Sequence, residues 1–248
     1  MRKSLFAIFL MATPLVAPQV VLASGGHGPE LEHAGINLKS QASLQRGAKY
    51  FVNYCLGCHS LKYSRYNRVA ADIGISDAQL EEHLLFGDAK AGDLMTTALR
   101  PEDGEKWFGT AIPDLTLVTR WRDPDWVYTY LKSFYVDDSR PYGVNNLVFP
   151  DVGMPNVLAG LQGVQEAVHE GGSHGDEGHI TGLKLVEPGT LTPEEFDSVA
   201  RDITNFLTYV GEPIKLERRR LGVLVLLFLG VLFYLTYQLK KEYWKDIH

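Results

Sequence analysis

The chain has 248 residues, of which 45% are apolar and 22% are charged. That composition is typical of a globular protein with one sizeable domain, and a total of two cysteines excludes a scaffold held together by several disulfides. The formal charge of the chain is −6. The first 23 residues contribute +2 and residues 215 to 248 contribute +4, so residues 24 to 214 carry −12. A body this acidic repels nucleic acid and attracts basic partners.

The first 23 residues have the pattern of a secretory signal peptide. Arg2 and Lys3 precede an apolar run that Pro14 and Pro18 interrupt and that ends in small residues up to Ala23. The prolines suit a segment that is cleaved off better than an uncleaved membrane helix. A mitochondrial transit peptide would be amphipathic and rich in arginine and serine, and this run is neither. We expect cleavage after Ala23 and export of the remaining chain from a bacterial cytoplasm.

Both cysteines lie in the stretch NYCLGCHS, where Cys55 and Cys58 are three positions apart and His59 follows. Cys-x-x-Cys-His is the attachment motif of a c-type haem, in which both thiols form thioethers with porphyrin vinyl groups and the histidine binds the iron. A thioredoxin-like pair would follow a strand, whereas the preceding SLQRGAKYFVNY predicts an amphipathic helix. A zinc site would need two more ligands at a fitting spacing, which the sequence does not offer. We therefore predict one covalently bound haem c.

The second axial position of the iron needs another ligand, and after signal removal Met95 and Met154 are the only methionines. Met154 lies in FPDVGMPNV, whose prolines and glycine predict a rigid loop, while Met95 lies in a segment with helical features. We favour Met154, the alternative being a methionine that fills a gap in the core. His27 and His33 lie in a glycine-rich leader and His83 in a predicted helix, so they compete poorly. With both axial positions filled, the haem is expected to transfer electrons and not to activate oxygen or peroxide.

Helices dominate the patterns that follow the motif. Residues 77 to 88 and 124 to 135 have helical patterns. The strongest helix signal comes later in the chain, where Thr192 and Glu195 form a capping box before an apolar stripe. Gly47, in the helix before the motif, would permit close approach of this late helix. The sequence shows no alternating strands, so the exported body is predicted to be mainly α-helical.

Residues 164 to 182 are rich in glycine, histidine and acidic side chains. His169, His174 and His179 recur every five residues, a spacing that does not place them on one helical face. The segment is predicted to be a solvated loop, with adventitious metal binding as the alternative.

Residues 221 to 239 contain no charged side chain and predict a membrane-spanning helix. At a rise of ~1.5 Å per residue this run covers about 28 Å, close to the ~30 Å hydrocarbon core of a bilayer. A buried core helix is the alternative, but soluble domains rarely contain so long an uncharged run. Basic residues flank both ends, so the signal peptide decides the orientation: residues 24 to 214 are exported and 240 to 248 form a short cytoplasmic tail.

Taken in order, these segments resemble the cytochrome c1 family, the haem subunits of the ubiquinol:cytochrome c oxidoreductase, in its bacterial form. The resemblance covers nearly all of the mature chain. It rests on RGAKYFVNYCLGCHSLKYSRY, AIPDLTLVTR, SFYVDDSRPYGVNNLVFPDVGMPNVL, DITNFLTYVGEP and one C-terminal anchor. It implies a class I cytochrome c-like haem domain with long loop insertions, followed by one transmembrane helix. An extra cysteine pair that some relatives carry is missing from this chain.

The resemblance also implies roles for individual residues. His59 and Met154 would be the axial ligands of a haem bound through the two cysteines of the motif. Pro113 would lie on the proximal side, where a backbone carbonyl commonly orients the histidine ring. Arg120 matches the family arginine beside a haem propionate, the alternative being a surface charge next to Trp121.

The function that the resemblance implies is electron transfer in a respiratory chain. The chain would sit in the bacterial inner membrane beside cytochrome b, with its haem domain in the periplasm, and would not be an enzyme by itself. It would accept an electron from the Rieske iron–sulfur protein and pass it to a soluble, basic c-type cytochrome. The alternative is a free membrane-anchored shuttle cytochrome c that feeds a terminal oxidase, which would suit a smaller domain on a flexible linker. A haem peroxidase would need an iron with an open coordination position, and the exported di-haem peroxidases would also need two attachment motifs. This chain has one motif and a candidate for each axial position.

Overall fold

The computed structural model describes residues 29 to 170 and 179 to 246. The predicted signal peptide, His27 and His174 lie outside these residues. The helices of the described part are α1 Gln41–Tyr50, α2 Tyr66–Asp72, α3 Asp77–His83, α4 Pro101–Phe108, α5 Val118–Trp121, α6 Pro124–Lys132, α7 Ala159–Gln162, α8 Pro193–Gly211 and α9 Lys215–Tyr243. The strands are β1 Leu61–Arg65, β2 Leu94–Met95, β3 Phe134–Val136, β4 Val144–Asn146, β5 Gly163–Glu170 and β6 His179–Pro188. They pair consecutively into three antiparallel two-stranded sheets.

The core forms where α1 crosses α8, and Gly47 lies at the crossing. A Cβ atom added to Gly47 would lie 2.1 Å from the carbonyl oxygen of Asp202 and 2.6 Å from Cβ of Phe206. The rings of Phe51 and Phe206, both fully buried, lie 5.8 Å apart at their centroids. The buried carboxylate of Asp202 accepts a hydrogen bond from Arg46 Nε at 2.6 Å. The predicted close approach of the late helix to Gly47 is therefore confirmed.

Two of the predicted helices are shorter than their patterns suggested. Helix α3 begins at the predicted position, behind a capping box formed by Ser76 and Gln79, but ends at His83. The residues that follow turn at Gly87, whose φ of +62° is in the left-handed region. Helix α6 ends at Lys132, because the chain then extends into β3 instead of completing the predicted helix to residue 135. Helix α8, in contrast, has the predicted start and capping box.

The prediction of a solvated loop at residues 164 to 182 is wrong for the part that the structure describes. Strands β5 and β6 form an antiparallel ribbon whose register runs from Gly163 opposite Pro188 to Glu170 opposite His179. At its base, the side-chain amide of Gln165 donates hydrogen bonds to backbone carbonyls of α6 and β3. Each strand gains its hydrogen bonds from the other strand, so a pattern within either strand alone does not reveal the ribbon.

Helix α9 leaves the body directly after α8. It has 29 residues, none of them buried, and it is the one helix of the described residues that is long and apolar enough to cross a membrane. Only residues 212 to 214 separate the two helices, and Arg218 Nε lies 2.6 Å from Glu212 Oε1 across this junction. The predicted span of residues 221 to 239 lies inside α9.

Candidate functional site

The Cys-x-x-Cys-His motif follows the C-terminal end of α1. The helix continues through Phe51–Cys55 in a π-helical turn, and the backbone N–H of His59 then donates to the carbonyl of Cys55 at 2.8 Å. The predicted helix before the motif is thus confirmed, and one turn of chain carries all three side chains of the motif. Both cysteines are free, with Cys55 buried and Cys58 half-buried.

The environment of Cys55 does not suit a redox-active dithiol. Burial raises the pKa of the Cys55 thiol to about 12, with a smaller contribution from Cys58. Reactive cysteines of the thioredoxin type have a lowered pKa, because the thiolate is the nucleophile. The structure therefore favours the other interpretation of the motif, in which the thiols are attachment points.

A cleft opens beside the motif and brings four of the predicted site residues together. Cys58, His59, Pro113 and Met154 all line it. The rest of the lining is mostly apolar, and consists of Tyr54, Phe108, Thr110, Ile112, Gly153, Pro155 and Val157.

The other described candidates for the second axial ligand lie away from this cleft. Met95 is only 1% exposed and pairs with Leu61 in the first small sheet, where it fills the core. His33 contacts Asp125 at 3.0 Å, and His83 ends α3. Of the candidate ligands that lie within the described residues, the structure therefore brings only Met154 to the same cleft as the motif.

The ring of His59 is held in one orientation. Its Nδ1 atom lies 2.9 Å from the backbone carbonyl oxygen of Pro113, and a carbonyl can only accept, so Nδ1 carries the proton. Nε2 then keeps its lone pair for a metal. Burial lowers the pKa of His59, which favours the neutral imidazole that binds metals.

Asp114 fixes the position of the Pro113 carbonyl. One oxygen of the Asp114 carboxylate accepts the backbone N–H of Lys62 at 2.8 Å, and the other accepts that of Thr116 at 3.0 Å. The carboxylate thereby ties the loop around Pro113 to the chain that leaves the motif. The Pro-Asp dipeptide is a turn signal that the sequence shows, but no sequence signal indicates that Asp114 binds Lys62 in β1.

The loop that carries Met154 is organised by a buried asparagine. Asn146, which is fully buried at the end of β4, accepts the backbone N–H groups of Val148 at 2.9 Å and Phe149 at 3.2 Å through its side-chain oxygen. Its side-chain amide donates to the carbonyl of Tyr130 at 2.8 Å. One side chain thus folds the start of the loop and links it to α6.

A second anchor lies just before Met154. Asp151 has a φ of +62°, and its N–H donates to the side-chain oxygen of Asn145 at 2.9 Å. Arg140 contacts the same residue twice, at Asp151 Oδ1 and at its carbonyl, at 2.8 and 2.9 Å. The rigid loop predicted from its prolines is therefore held by side chains as well, and we expect this to restrict the positions open to the Met154 sulfur.

Two functional candidates were missed by the sequence analysis. Tyr130 on α6 places its hydroxyl 3.3 Å from the sulfur of Met154, and Asn146 shapes the loop. The helical pattern of residues 124 to 135 does not distinguish Tyr130 from its neighbours, and no motif marks a single buried asparagine.

Arg120 lies on α5, outside the lining of the cleft. Its side chain is exposed, and among the described residues no carboxylate forms an ion pair with it. The helix packs against the end of α8, where a Cβ on Gly211 would lie 3.5 Å from Arg120 Cγ. Arg120 is thus available for an added carboxylate, and its pairing with a haem propionate stays a prediction.

The residues of the cleft fit a c-type haem. Two free thiols, an imidazole whose Nε2 is open to a metal, a thioether and an apolar lining occur together, which is the donor set that such a group requires. Cys55 and Cys58 would hold the group covalently, and His59 and Met154 would ligate its iron.

Comparison with known proteins agrees with this chemistry. The model of the cytochrome c1 family matches residues 182 to 247. Cytochrome c1 of Allochromatium vinosum is 66% identical over 250 residues, which cover 100% of both chains. A protein of Nitrosomonas europaea named ammonia monooxygenase gamma subunit is 47% identical, over 97% of this chain and 98% of its own. Cytochrome c1 of Rhodospirillum rubrum is 28% identical over 94% and 96% of the two chains. The chain belongs to the cytochrome c1 family, the membrane-anchored subunits of the bc1 complex that carry a covalently bound haem c.

Proposed function

We propose that this chain accepts one electron at a time from the Rieske iron–sulfur protein and passes it to a soluble, basic c-type cytochrome, with its haem domain in the periplasm. The observation that supports the proposal most directly is that Cys58 and His59 of the motif line the same cleft as Met154. If His59 and Met154 both ligate the iron, they would leave no coordination site for a substrate, and electron transfer is the chemistry that remains.

The residues of the motif and of the cleft have separate roles in this proposal. Cys55 and Cys58 attach the haem, which supplies a one-electron iron couple when bound. His59 offers Nε2 to the iron because Pro113 accepts the proton on Nδ1. Met154 offers a thioether, a ligand that raises the reduction potential relative to a second histidine. The apolar lining keeps water from the centre, which also favours a high potential.

The junction between α8 and α9 supports a fixed position in a complex over a free shuttle. Residues 212 to 214 are too few to act as a flexible tether, and the ion pair of Arg218 with Glu212 spans them. A shuttle that carries electrons between distant partners needs a longer and more mobile connection. We therefore place the chain beside cytochrome b and the Rieske subunit.

This placement predicts co-purification. Full-length chain, tagged at its C-terminus and extracted in mild detergent, should migrate on native gels with a b-type cytochrome and with the electron paramagnetic resonance signal of a Rieske cluster. Quinol should then reduce the c-type haem of the purified material in a single turnover. A red chain that migrates alone, while the membranes still oxidise quinol normally without it, would favour the shuttle instead.

The acidic charge of the body predicts a docking surface for a basic partner, but some of its carboxylates bind groups within the domain itself. The sequence places four acidic pairs in segments that predict loops: Glu102 and Asp103, Asp123 and Asp125, Asp137 and Asp138, and Asp176 and Glu177. The last of these pairs lies outside the described residues. Of the others, several carboxylates have local partners: Asp103 with Arg100, Asp123 and Asp125 at the start of α6, and Asp137 with Ser139 and Asn145. Glu102 and Asp138 remain exposed.

These two free carboxylates belong to segments that meet at the rim of the cleft. Glu102 lies on α4, whose last residue, Phe108, lines the cleft. Asp138 lies in the turn that also contains Tyr142, and the rings of Phe108 and Tyr142 are 5.6 Å apart at their centroids. A basic acceptor attracted to these carboxylates would arrive beside the cleft.

We therefore expect electron transfer to the natural acceptor to depend on salt. Steering by complementary charge raises encounter rates by roughly 10 to 1,000-fold at low ionic strength and is screened over ~10 Å at 0.1 M salt. Stopped-flow rates should fall steeply with salt, and the double variant Glu102→Gln, Asp138→Asn should flatten the profile. Glu81→Gln on α3, also exposed, is the matched control. A wild-type rate independent of salt would mean that docking is apolar.

A further inference from the structure

We propose that the end of α9 next to the body binds the anionic phospholipid headgroups of the membrane leaflet that the body faces. The binding surface, which we call the collar, consists of Lys215, Arg219 and Arg220. Basic residues flank both ends of the membrane span, and the proposed electron transfer uses none of these three. The collar acts on the membrane and not on the haem, so its role is separate from the proposed function.

Four basic side chains come directly before the uncharged part of α9. They are Lys215, Arg218, Arg219 and Arg220, and Glu217 is the one acidic residue among them. Arg218 pairs with Glu212 at 2.6 Å, whereas no carboxylate of the described residues pairs with the other three cations. The side chains of Arg219 and Arg220 are exposed, and Lys215 is half-buried. The collar therefore consists of three cations without a counterion in the part of the chain that the structure describes.

These cations do not stabilise α9 themselves. Lys215 and Arg219 are four positions apart, which places two like charges next to each other on one face of the helix and destabilises it. The positive-inside rule does not account for them either, because in the proposed orientation this end of α9 faces the periplasm. A bound anion would offset the repulsion between the two side chains.

The cations of the collar lie at the level of the lipid headgroups. The uncharged run begins at Leu221, directly after Arg220, and so marks where the hydrocarbon core starts. At a rise of ~1.5 Å per residue, Arg220 and Lys215 lie about 1.5 Å and about 9 Å outside this boundary. The headgroup layer is roughly 5–8 Å thick on each side of the core, and the long side chains of lysine and arginine reach through it.

An exposed apolar edge of α5 lies at the same end of the body. The helix packs against α8, where the hydroxyl of Thr119 donates to a backbone carbonyl at 3.3 Å. Leu117 and Trp121, four positions apart, are 46% and 75% exposed, and Ile214 in the junction between α8 and α9 is 61% exposed. Tryptophan rings of this kind are typical of the membrane–water interface. This end of the body is therefore suited to contact with headgroups.

The charge distribution of the chain favours lipid over a protein partner at the collar. Residues 24 to 214 carry −12, so an anionic leaflet repels the body and attracts only the collar beside it. A subunit packed against the same side chains would have to bury three charges, whereas hydrated headgroups pair with them without removing them from water. Bound headgroups would hold the body at a constant height above the membrane.

The double variant Arg219→Gln, Arg220→Gln of the full-length holoprotein tests the collar. Native mass spectrometry, after purification in mild detergent with equal amounts of phosphatidylglycerol and phosphatidylcholine, gives the number of each lipid that stays bound. We expect the wild type to retain mainly phosphatidylglycerol and the variant to retain several-fold less of it. Arg219→Lys, Arg220→Lys keeps both charges and should bind as the wild type does.

Lys106→Gln, Lys184→Gln is the matched control, because it removes two exposed positive charges from α4 and β6 and leaves the collar intact. Equal loss of lipid in this control and in the arginine variant would overturn the proposal, since binding would then follow net charge. A wild type that retains the two lipids equally would also overturn it.

Co-migration with a b-type cytochrome on native gels separates a lipid surface from a subunit contact. If the glutamine variant keeps its phosphatidylglycerol but loses the b-type cytochrome, the three cations bind a protein and the proposal is wrong. We expect the opposite result, in which the lipid is lost and the co-migration is kept. The lipid count involves no electron transfer, so failure of the proposed function would not change it.

Discussion

Met154→Leu is expected to leave the haem attached to the chain, to lower its reduction potential and to let carbon monoxide bind the reduced iron. In the proposed site the haem is attached through Cys55 and Cys58, which the substitution does not touch. Leucine is similar in volume to methionine, so the loop held by Asn146 and Asp151 should keep its shape. What is lost is the thioether, the only candidate donor that the loop brings to the cleft.

The expected size of this effect is large, because axial ligands set haem potentials over a range of about 0.8 V. Loss of the thioether should lower the midpoint by on the order of 0.1 V or more. Redox titration gives the potential, and difference spectra of the reduced protein give carbon monoxide binding. Met95→Leu, which changes a buried methionine in β2, is the control and should leave both properties unchanged. A Met154→Leu protein with the wild-type potential and no carbon monoxide complex would assign the sixth position to another side chain.

The chemistry of the cleft could be predicted from sequence where a residue type or spacing carries it. Cys55, Cys58 and His59 form a motif whose spacing has one common use, and Met154 is one of two methionines that follow the predicted signal peptide. The start of α8 could also be predicted, because its capping box and its apolar stripe are formed by residues close together in the sequence. These features depend on neighbours in the chain, which a sequence shows directly.

The supporting residues could not be predicted in the same way. Tyr130 meets Met154 only because α6 and the loop after β4 pack together, and Asn146 is informative only once its buried position is known. The ribbon of β5 and β6 was missed because its strands are stabilised across the pair and not within either one. Such contacts come from tertiary packing, and they decide how firmly the predicted ligands are held.

Gly47→Ala is expected to damage the core severely, although it adds a single methyl group. The new Cβ would lie 2.1 Å from the Asp202 carbonyl oxygen and 2.8 Å from its carbonyl carbon, distances that no Cβ tolerates. These are backbone atoms, so no side-chain rotation relieves the overlap, and α1 must move away from α8. Alanine's better helix propensity recovers at most about 1 kcal/mol.

Separation of the two helices would affect the site as well as the stability. It would stretch the bonds from Ser43 and Arg46 to Asp202, and it would shift the helix that leads into Cys55. Overpacking typically costs about 1–3 kcal/mol and here should reach or exceed the upper value, because the contact is backbone to backbone. We expect a marked loss of haem-loaded protein and a lower guanidinium midpoint for the holoprotein in detergent. Gly160→Ala on α7 is the control, since a Cβ there meets nothing within 4 Å and should be neutral or slightly stabilising. Equal midpoints for the two variants would show that α1 and α8 do not pack this closely, and that the motif is positioned without their crossing.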